Sequence, residues 1–232
     1  MKPIIFCTDM VKALLNTKPG VWPAEPIDAS KPCKSQTRLV IKPQPEKDGR
    51  FWKWHTGMWN EKATPILAYG HGMYNRMPIK PGDILYVRET WADIEETSPG
   101  NIHYKASATE ADIQWFKENG WKWRPSIHMP REAARLFLEV KSVRVERLHD
   151  ISEADAEAEG VEINHHCVKK YKNPKIIACV SSENNCVDCD LFKTKSFKAG
   201  FQYLWNSINA KRSYSLESNP WVWVYEFARV ER

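Results

Sequence analysis

The sequence lacks a long apolar run, a marked excess of one charge, and any internal repeat or low-complexity segment. A helix that crosses a bilayer needs about 20 apolar residues in a row, and no stretch provides them. Near the start, no basic segment followed by an apolar one resembles a secretion signal. We therefore expect a cytoplasmic protein without a membrane partner.

The net charge and the cysteine content are both modest. The net charge of +5 and the pI of about 8.8 tolerate a nucleic-acid partner without requiring one. The chain has six cysteines, and disulfides seldom persist in the cytosol. We therefore expect free thiols or metal ligands rather than a disulfide framework.

What the chain does contain fits an ordinary globular protein, with 42% hydrophobic and 27% charged residues. Its 232 residues suit one decorated domain or two small ones, and we predict a single domain over residues 1–232. Four prolines and Gly20 fall between Asn16 and Cys33, where a helix cannot continue. We predict a loop insertion over residues 17–33.

Hydrophobic periodicity and capping residues predict a mixture of helices and strands. Thr8, Thr109 and Ser152 are expected at helix starts, the last two with an aspartate three residues later. Gly160 is expected to end the third of these helices. An amphipathic helix is expected from Phe197, and strands are expected at residues 3–6, 39–41, 84–88 and 221–230, the last apolar on both faces.

The stretch 136–147 changes its apolar phase. Leu136, Leu138 and Val140 alternate, and Val143 and Val145 continue one residue out of phase. A shift of one residue is what a β-bulge produces, and bulges help a sheet to curl. The pattern favours a barrel over an open sheet.

A polar group precedes the strand at residues 39–41. Lys34 lies three residues before Thr37, and Arg38 follows directly. Side chains on a flat strand alternate, so Lys34 and Thr37 can cooperate only if the chain curls before the strand begins. A desolvated lysine can act as a base and activate a hydroxyl. From these residues alone, a solvated lysine beside a strand-initiating threonine is the favoured interpretation.

The motif Lys34-Ser35-Gln36-Thr37-Arg38 resembles the lysine-x-x-threonine-arginine motif of ASCH-domain proteins. Four further segments resemble the phage and prophage branch of that family, in the same order along the chain: KPGDILYVRETW (80–91), WRPSIHMPR (123–131), DAEAEG (155–160) and NPWVWVYEF (219–227). The resemblance implies an α+β fold, namely a PUA-like, mostly antiparallel β-barrel with peripheral helices and a cysteine-containing insert.

The resemblance also implies a pocket. In a bacterial acetylcytidine amidohydrolase of this family, the catalytic lysine, threonine and glutamate fall on Lys34, Thr37 and Glu159. The implied reaction removes the acetyl group from acetylcytidine-type substrates without a cofactor. Further substrate or RNA contacts are then expected from residues near the pocket, which are Arg38, Arg88, Glu89, Trp91 and Arg124.

Two other functions stay open. In a non-catalytic RNA-binding module, Lys34, Arg38, Arg88 and Arg124 would hold phosphates while Trp91 stacks on a base. A phage accessory protein would instead bind a protein partner through the insert at residues 164–195. That insert contains Cys167, Cys179, Cys186 and Cys189, of which the last two form a Cys-x-x-Cys knuckle typical of structural zinc. Structural zinc and unligated thiols are both compatible with this spacing.

Overall fold

The computed structural model describes residues 1–48, 51–54, 57–60, 77–94, 101–161, 164–166 and 194–231. Helices and strands follow in this order: β1 (Lys2–Ile5), α1 (Thr8–Leu15), β2 (Gln36–Val40), β3 (Glu46–Asp48), β4 (Phe51–Trp54), β5 (Gly57–Asn60), β6 (Ile84–Arg88), β7 (Trp91–Asp93), β8 (Ile102–Tyr104), α2 (Glu110–Glu118), β9 (Phe137–Arg147), α3 (Glu153–Ala158), β10 (Asn164–His166), β11 (Thr194–Ser196), α4 (Phe197–Asn209) and β12 (Trp221–Val230).

A five-stranded sheet with the order β1-β6-β9-β12-β2 carries the fold. Only the β1–β6 pair in this sheet is parallel, and the other three pairs are antiparallel. Three smaller antiparallel sheets join β3-β4-β5, β7-β8 and β10-β11. The predicted mixed, mostly antiparallel α+β class is therefore confirmed.

The predicted bulge is present in β9. Glu226 of β12 lies opposite Ser142, whereas Phe227 lies opposite Val140, so Lys141 has no opposite residue. Because of this extra residue, Val140 and Val143 face the same hydrophobic cluster although they are an odd number of positions apart. Within the described part of the chain, β1 and β2 are the two edges of the sheet and no closed barrel is seen.

β12 separates two hydrophobic clusters, as its two-sided apolar pattern predicted. Trp223, Tyr225 and Phe227 point into a large cluster that includes the inner side chains of β6 and β9. Val222 and Val224 point the other way, into a cluster beneath α3 and α4. A central strand that is buried on both faces fixes the sheet between two layers of packing.

The helix ends agree with the capping signals in two of three cases. Thr109–Asp112 and Ser152–Asp155 form complete capping boxes at the starts of α2 and α3. The expected cap at Thr8 is wrong, since Thr8 is the first helical residue of α1 and Cys7 occupies the cap position without a side-chain hydrogen bond. None of the helices in the described ranges has the length and apolar character that a membrane span requires.

Candidate functional site

Lys34 is fixed by three parts of the chain immediately before β2. Its backbone N–H donates to the Thr17 hydroxyl at 3.0 Å, just beyond the end of α1. The next residue, Ser35, donates its N–H to the Ala158 carbonyl at the end of α3 and accepts from the Phe227 N–H of β12, both at 2.9 Å. The loop that precedes Lys34 therefore ends in a rigid position.

Gly160 lets the end of α3 approach Lys34. It has a φ of +74°, which favours glycine, and it directly follows Glu159, the C-terminal cap of α3. A Cβ at position 160 would lie 2.7 Å from the Cβ of Ala13 and 2.8 Å from that of Lys34. The glycine thus brings Glu159 to the lysine, and its predicted place at the helix end is confirmed.

Lys34 and Glu159 form an enclosed ion pair. The Nζ of Lys34 lies 3.0 Å from Oε2 of Glu159, although the residues are 125 positions apart, and their side chains are 0% and 1% exposed. The same nitrogen donates to the backbone carbonyls of Glu159 and Gln36, each at 2.7 Å. All three N–H bonds of the ammonium group therefore have acceptors.

The surroundings of Lys34 act on its amine in opposite directions. Burial lowers the pKa of Lys34, because the charged amine has lost its hydration. The negative charge of Glu159 opposes that shift, and the nearby Arg38 guanidinium adds to it. A buried lysine with a lowered pKa is a recurrent feature of functional sites, although structural ion pairs also produce it.

Arg38 binds the other oxygen of Glu159. Its Nη1 lies 3.0 Å from Oε1 of Glu159, and its Nη2 lies 3.0 Å from Oε2 of Glu146 on β9. Asp155 of α3 is 3.6 Å away. The Arg38 side chain is fully buried, so its charge is engaged by these carboxylates rather than by a surface phosphate.

Arg144 on β9 extends the same network. Its guanidinium contacts the carboxylates of Glu146, Asp155 and Glu226. Burial tends to raise the pKa of Asp155, but its hydrogen bond from Ser152 and the nearby arginines Arg38 and Arg144 lower it. The carboxylate of Asp155 is thus stabilised while it also caps α3, so the network joins the helix to the sheet.

Thr37 is buried on the opposite face of β2 from Arg38. It lies across from Tyr225, which belongs to the large cluster, and its neighbour Arg38 points towards Phe201 of α4. Thr37 is 3% exposed, and the hydrogen bonds that Lys34 and Arg38 donate go to Glu159, Gln36 and Glu146 rather than to its hydroxyl. The structure therefore joins Lys34 and Glu159 directly and keeps Thr37 nearby on the strand without a bond to either.

Two grooves flank the ion pair. One, of about 500 Å³, is lined by residues of α1 and α4 and by Gly160, which follows Glu159. The other, of about 670 Å³, includes Ser35 and Ala158, which adjoin Lys34 and Glu159 in the chain. Lys31, Pro32 and Val161 line both grooves. Their volumes lie in the range of small-molecule sites, but Lys34, Thr37 and Glu159 line neither of them.

Phe6 connects the Lys34 site to the far edge of the sheet. Its ring lies 5.2 Å from Nζ of Lys34 and 6.3 Å from the ring of Phe227. Its backbone N–H donates to the carbonyl of Arg88 at 3.2 Å. The start of β2 and the end of β6 are therefore close at one end of the sheet, as a curled sheet requires.

Glu89 and Trp91 do not present open surfaces for a substrate. Glu89 is 1% exposed, and both of its oxygens accept from Arg135 at 2.9 Å. Trp91 is 5% exposed, and the guanidinium of Arg124 lies 5.2 Å from its ring. The expected base platform is therefore buried in this structure, and Glu89 is occupied by an ion pair.

Arg88 and Arg124 differ in their exposure. Arg124 is exposed, whereas Arg88 is half-buried and donates through Nη1 to the Ile127 carbonyl at 3.3 Å. Arg124 belongs to the proline-containing segment that follows α2, and Arg88 contacts the same segment at Ile127. Of the five expected binding residues, these two retain access to solvent.

Sequence analysis missed Thr17, Arg135 and Arg144. Thr17 falls in a stretch whose pattern predicts only a loop, and Arg135 lies ahead of a strand with no visible partner. Arg144 alternates with the apolar residues of β9, which is typical of a solvent-facing position. The one usable signal was the closely spaced opposite charges of Arg144 and Glu146 on that face.

The proposed zinc ligands Cys167, Cys179, Cys186 and Cys189 lie outside the described residues. In the described ranges, no group of three or more His, Cys, Asp or Glu side chains could hold a metal ion. Cys7 and Cys33 are free thiols there, and burial raises the pKa of Cys33. The zinc hypothesis stays a prediction.

Comparisons with family models, curated proteins and solved structures found no match. Fold class and site therefore follow from the sequence and the contacts described above.

Proposed function

We propose that this chain is an ASCH-like protein of PUA-like barrel architecture that removes the acetyl group from acetylcytidine-type substrates. The observation that supports the proposal most is the contact between Lys34 and Glu159 at 3.0 Å across 125 positions. The resemblance predicts that these two residues are in contact, whereas no local pattern in the sequence predicts it. The bulged strand and the approach of both sheet edges at Phe6 support the barrel.

Thr37 is the nucleophile in the proposed reaction. The Lys34 ammonium first passes a proton to Glu159, whose Oε2 is in contact with it. The neutral amine then accepts the Thr37 proton while the hydroxyl oxygen attacks the acyl carbon. The C–N bond of the amide breaks, Lys34 returns a proton to the leaving amine, and water hydrolyses the threonine ester to acetate.

Arg38 has a positioning role in this scheme rather than an oxyanion-binding one. Alternation along β2 directs Arg38 and Thr37 to opposite faces, and Arg38 is bonded to Glu159 and Glu146. By binding Oε1 of Glu159, it orients the other carboxylate oxygen towards Lys34. Its loss should therefore act through the ion pair.

The test is release of acetate from acetylcytidine by the full chain. Thr37→Val keeps the shape of the side chain and removes the hydroxyl, and we expect a loss of at least about a thousandfold. Thr90→Val is the matched control, because it makes the same change at a half-buried threonine between β6 and β7. Equal activity of Thr37→Val and the control, or no acetate release by a folded wild-type protein, would exclude the hydrolase.

A second candidate is a non-catalytic RNA-binding module. One observation favours it: Lys34 is enclosed and donates all three of its N–H bonds, while Arg38 binds the other oxygen of Glu159. An amine held in this way is a structural ion-pair partner. In this case RNA binding depends on exposed arginines such as Arg124, and Lys34 cannot contact a phosphate without rearrangement.

These two functions make different predictions for one pair of measurements. The module binds RNA with a salt-sensitive affinity and releases no acetate. The hydrolase releases acetate and loses this activity in Thr37→Val. A partner bound through the insert at residues 164–195 would instead depend on a segment that lies mostly outside the described residues.

A further inference from the structure

The insertion at residues 17–33 is held in place although it contains no helix or strand over its whole length, all of which the structure describes. The side-chain amide of Asn16 donates to the Asp28 carbonyl at 3.0 Å and accepts from the Asp28 N–H at 2.8 Å. Gly20 donates its N–H to the carbonyl of Arg229 on β12 at 2.8 Å. The insertion is therefore a rigid base for its side chains, which reduces the entropy that binding would cost.

All four charged residues of the insertion are paired with one another. Lys18 lies 2.8 Å from Glu25, and Lys31 lies 2.9 Å from Asp28. The insertion thus has no net charge, and its four prolines add apolar surface. A surface of this kind matches a neutral, apolar partner rather than a charged one.

Trp22 is the large apolar side chain that this neutral surface exposes. It is 42% exposed, and Ile27 of the same insertion is 60% exposed. A large aromatic side chain on a rigid loop is a typical energetic centre of a protein interface. Ile113 and Trp115 of α2 are exposed as well, but they lie two positions apart on a helix and do not share a face.

The insertion also lines the larger of the two grooves, which has a volume of about 670 Å³. Ala24 and Pro26 belong to its lining, together with Ala154 of α3. These small side chains leave room for a large one. An indole needs an acceptor for its N–H when it is buried, and the exposed carboxylate of Glu157 is available in this groove. The groove therefore matches Trp22 in both its apolar and its polar part.

We infer that two copies of this chain associate about a two-fold axis, with Trp22 of each copy in the larger groove of the other. Trp22 does not line the groove of its own copy. It precedes Pro26 by only four residues, a stretch that spans at most about 14 Å. Two insertions that face each other therefore bring each tryptophan to the groove of the other copy, in a contact that closes on itself. Because each insertion is neutral, no like charges oppose this contact.

The second copy also covers the surroundings of the ion pair. Ser35 and Ala158 line the larger groove, and they adjoin Lys34 and Glu159 in the chain. A tryptophan in this groove thus completes one wall beside the Lys34–Glu159 pair. The inference does not depend on the proposed hydrolase, because it concerns the association of the chains and not the reaction.

The first measurement is the mass of the full chain by sedimentation velocity, at concentrations from about 1 to 100 μM. We expect the wild type to pass from 27.0 kDa to twice that mass as the concentration rises. Trp22→Ser should raise the dimer dissociation constant at least about thirtyfold, because it removes an interface centre that the two-fold axis repeats. Trp115→Ser is the control and should change nothing, since Trp115 is equally exposed, at 42%.

The second measurement fills the groove without changing the insertion. Ala154→Arg places a long side chain where the tryptophan of the other copy binds, so it should weaken the dimer as strongly as Trp22→Ser does. Ala111→Arg is its matched control, because Ala111 is also exposed and also lies between a glutamate and an aspartate in the first turn of a helix. Circular dichroism and the Tm show whether each variant is folded.

Three results would overturn the inference. One is a wild type that stays at 27.0 kDa at every concentration, which would leave the insertion to a different protein. Another is a mass that rises beyond two chains, because a head-to-tail contact would then form an open polymer. The third is a dimer that survives Ala154→Arg, or one that the control changes weaken to the same extent. Acetate release by a protein that is monomeric would refute the dimer and leave the proposed function intact.

Discussion

Gly160→Ala should be among the most destabilising single-methyl changes in the described part of this protein. The residue has a φ of +74°, and a left-handed backbone costs an L side chain about 1–2 kcal/mol. The new Cβ would lie 2.7 Å from Ala13 Cβ and 2.8 Å from Lys34 Cβ, where an overpacked core loses about 1–3 kcal/mol. Together these terms predict a loss of about 2–5 kcal/mol.

A control separates the two terms. Gly120 has nearly the same backbone conformation, with a φ of +73°, but a Cβ at position 120 would meet no atom within 4 Å apart from those of its chain neighbours. Gly120→Ala should therefore lose only the backbone term of about 1–2 kcal/mol. The difference between the two variants measures how closely α1, α3 and Lys34 approach each other.

The assay is equilibrium unfolding by urea, with thermal unfolding as a second readout. For a chain of this size, ~2–4 °C per kcal/mol predicts a fall in Tm of about 4–20 °C for Gly160→Ala. Ala13→Gly removes one of the crowding atoms, so the double variant Ala13→Gly/Gly160→Ala should lose less than the sum of the single losses. Equal losses in Gly160→Ala and Gly120→Ala would refute the packing that brings Glu159 to Lys34.

Three further predictions concern the buried charges. Lys34→Met should lower the free energy of unfolding by about 3–5 kcal/mol, because it leaves the Glu159 carboxylate buried without its lysine. In urea unfolding, Lys34→Met/Glu159→Gln should lose less stability than the sum of the two single changes. Arg135→Met should destabilise by a similar ~3–5 kcal/mol, since both oxygens of buried Glu89 lose their donor, and Arg135→Met/Glu89→Gln should recover part of it. The pKa of Asp155 is lowered in the folded protein, so its ionised carboxylate stabilises the fold fully above the unfolded pKa of 3.8. This contribution is lost as the pH falls through the lower pKa of the folded state. Asp155→Asn should remove this part of the acid sensitivity.

Each of these has an outcome that contradicts it. Additive losses in the Lys34 and Glu159 variants would mean that the two charges do not interact. An Arg135→Met protein of wild-type stability would mean that Glu89 is hydrated. If the stability of Asp155→Asn falls with pH in parallel with that of the wild type, the acid sensitivity belongs to other carboxylates. The pH window is roughly 2 to 5, where ordinary carboxyl groups titrate. Glu153→Gln, on the same helix, is the control variant.

Local patterns in the sequence predicted the local features of the fold. The phase change in β9 predicted the bulge at Lys141, and two capping boxes predicted the starts of α2 and α3. These signals depend on residues only a few positions apart, so they can be identified from the sequence alone. The cap at Thr8 was wrong because the helix begins one residue early, and cap positions differ by that much when no side chain bonds the end.

Long-range partners of the charged residues could not be predicted in the same way. Nothing near Glu89 in the sequence indicates Arg135, and nothing near Arg38 indicates Glu146. Glu159 was assigned to the lysine only through the resemblance, because a glutamate in an acidic helix is usually solvated. Sequence analysis placed Arg38 in the pocket with Thr37, but alternation along β2 turns Arg38 to the other face.

Formation of the Lys34–Glu159 pair depends on α3, a helix of only six residues. So short a helix is not stable by itself, and its position follows from the Ser152–Asp155 capping box, from the contact of Asp155 with Arg144, and from the turn at Gly160. Ser152→Ala removes one of these supports without touching Lys34. If the pair is the functional centre, this remote change should lower activity as well as stability, whereas a purely structural pair would lose stability alone.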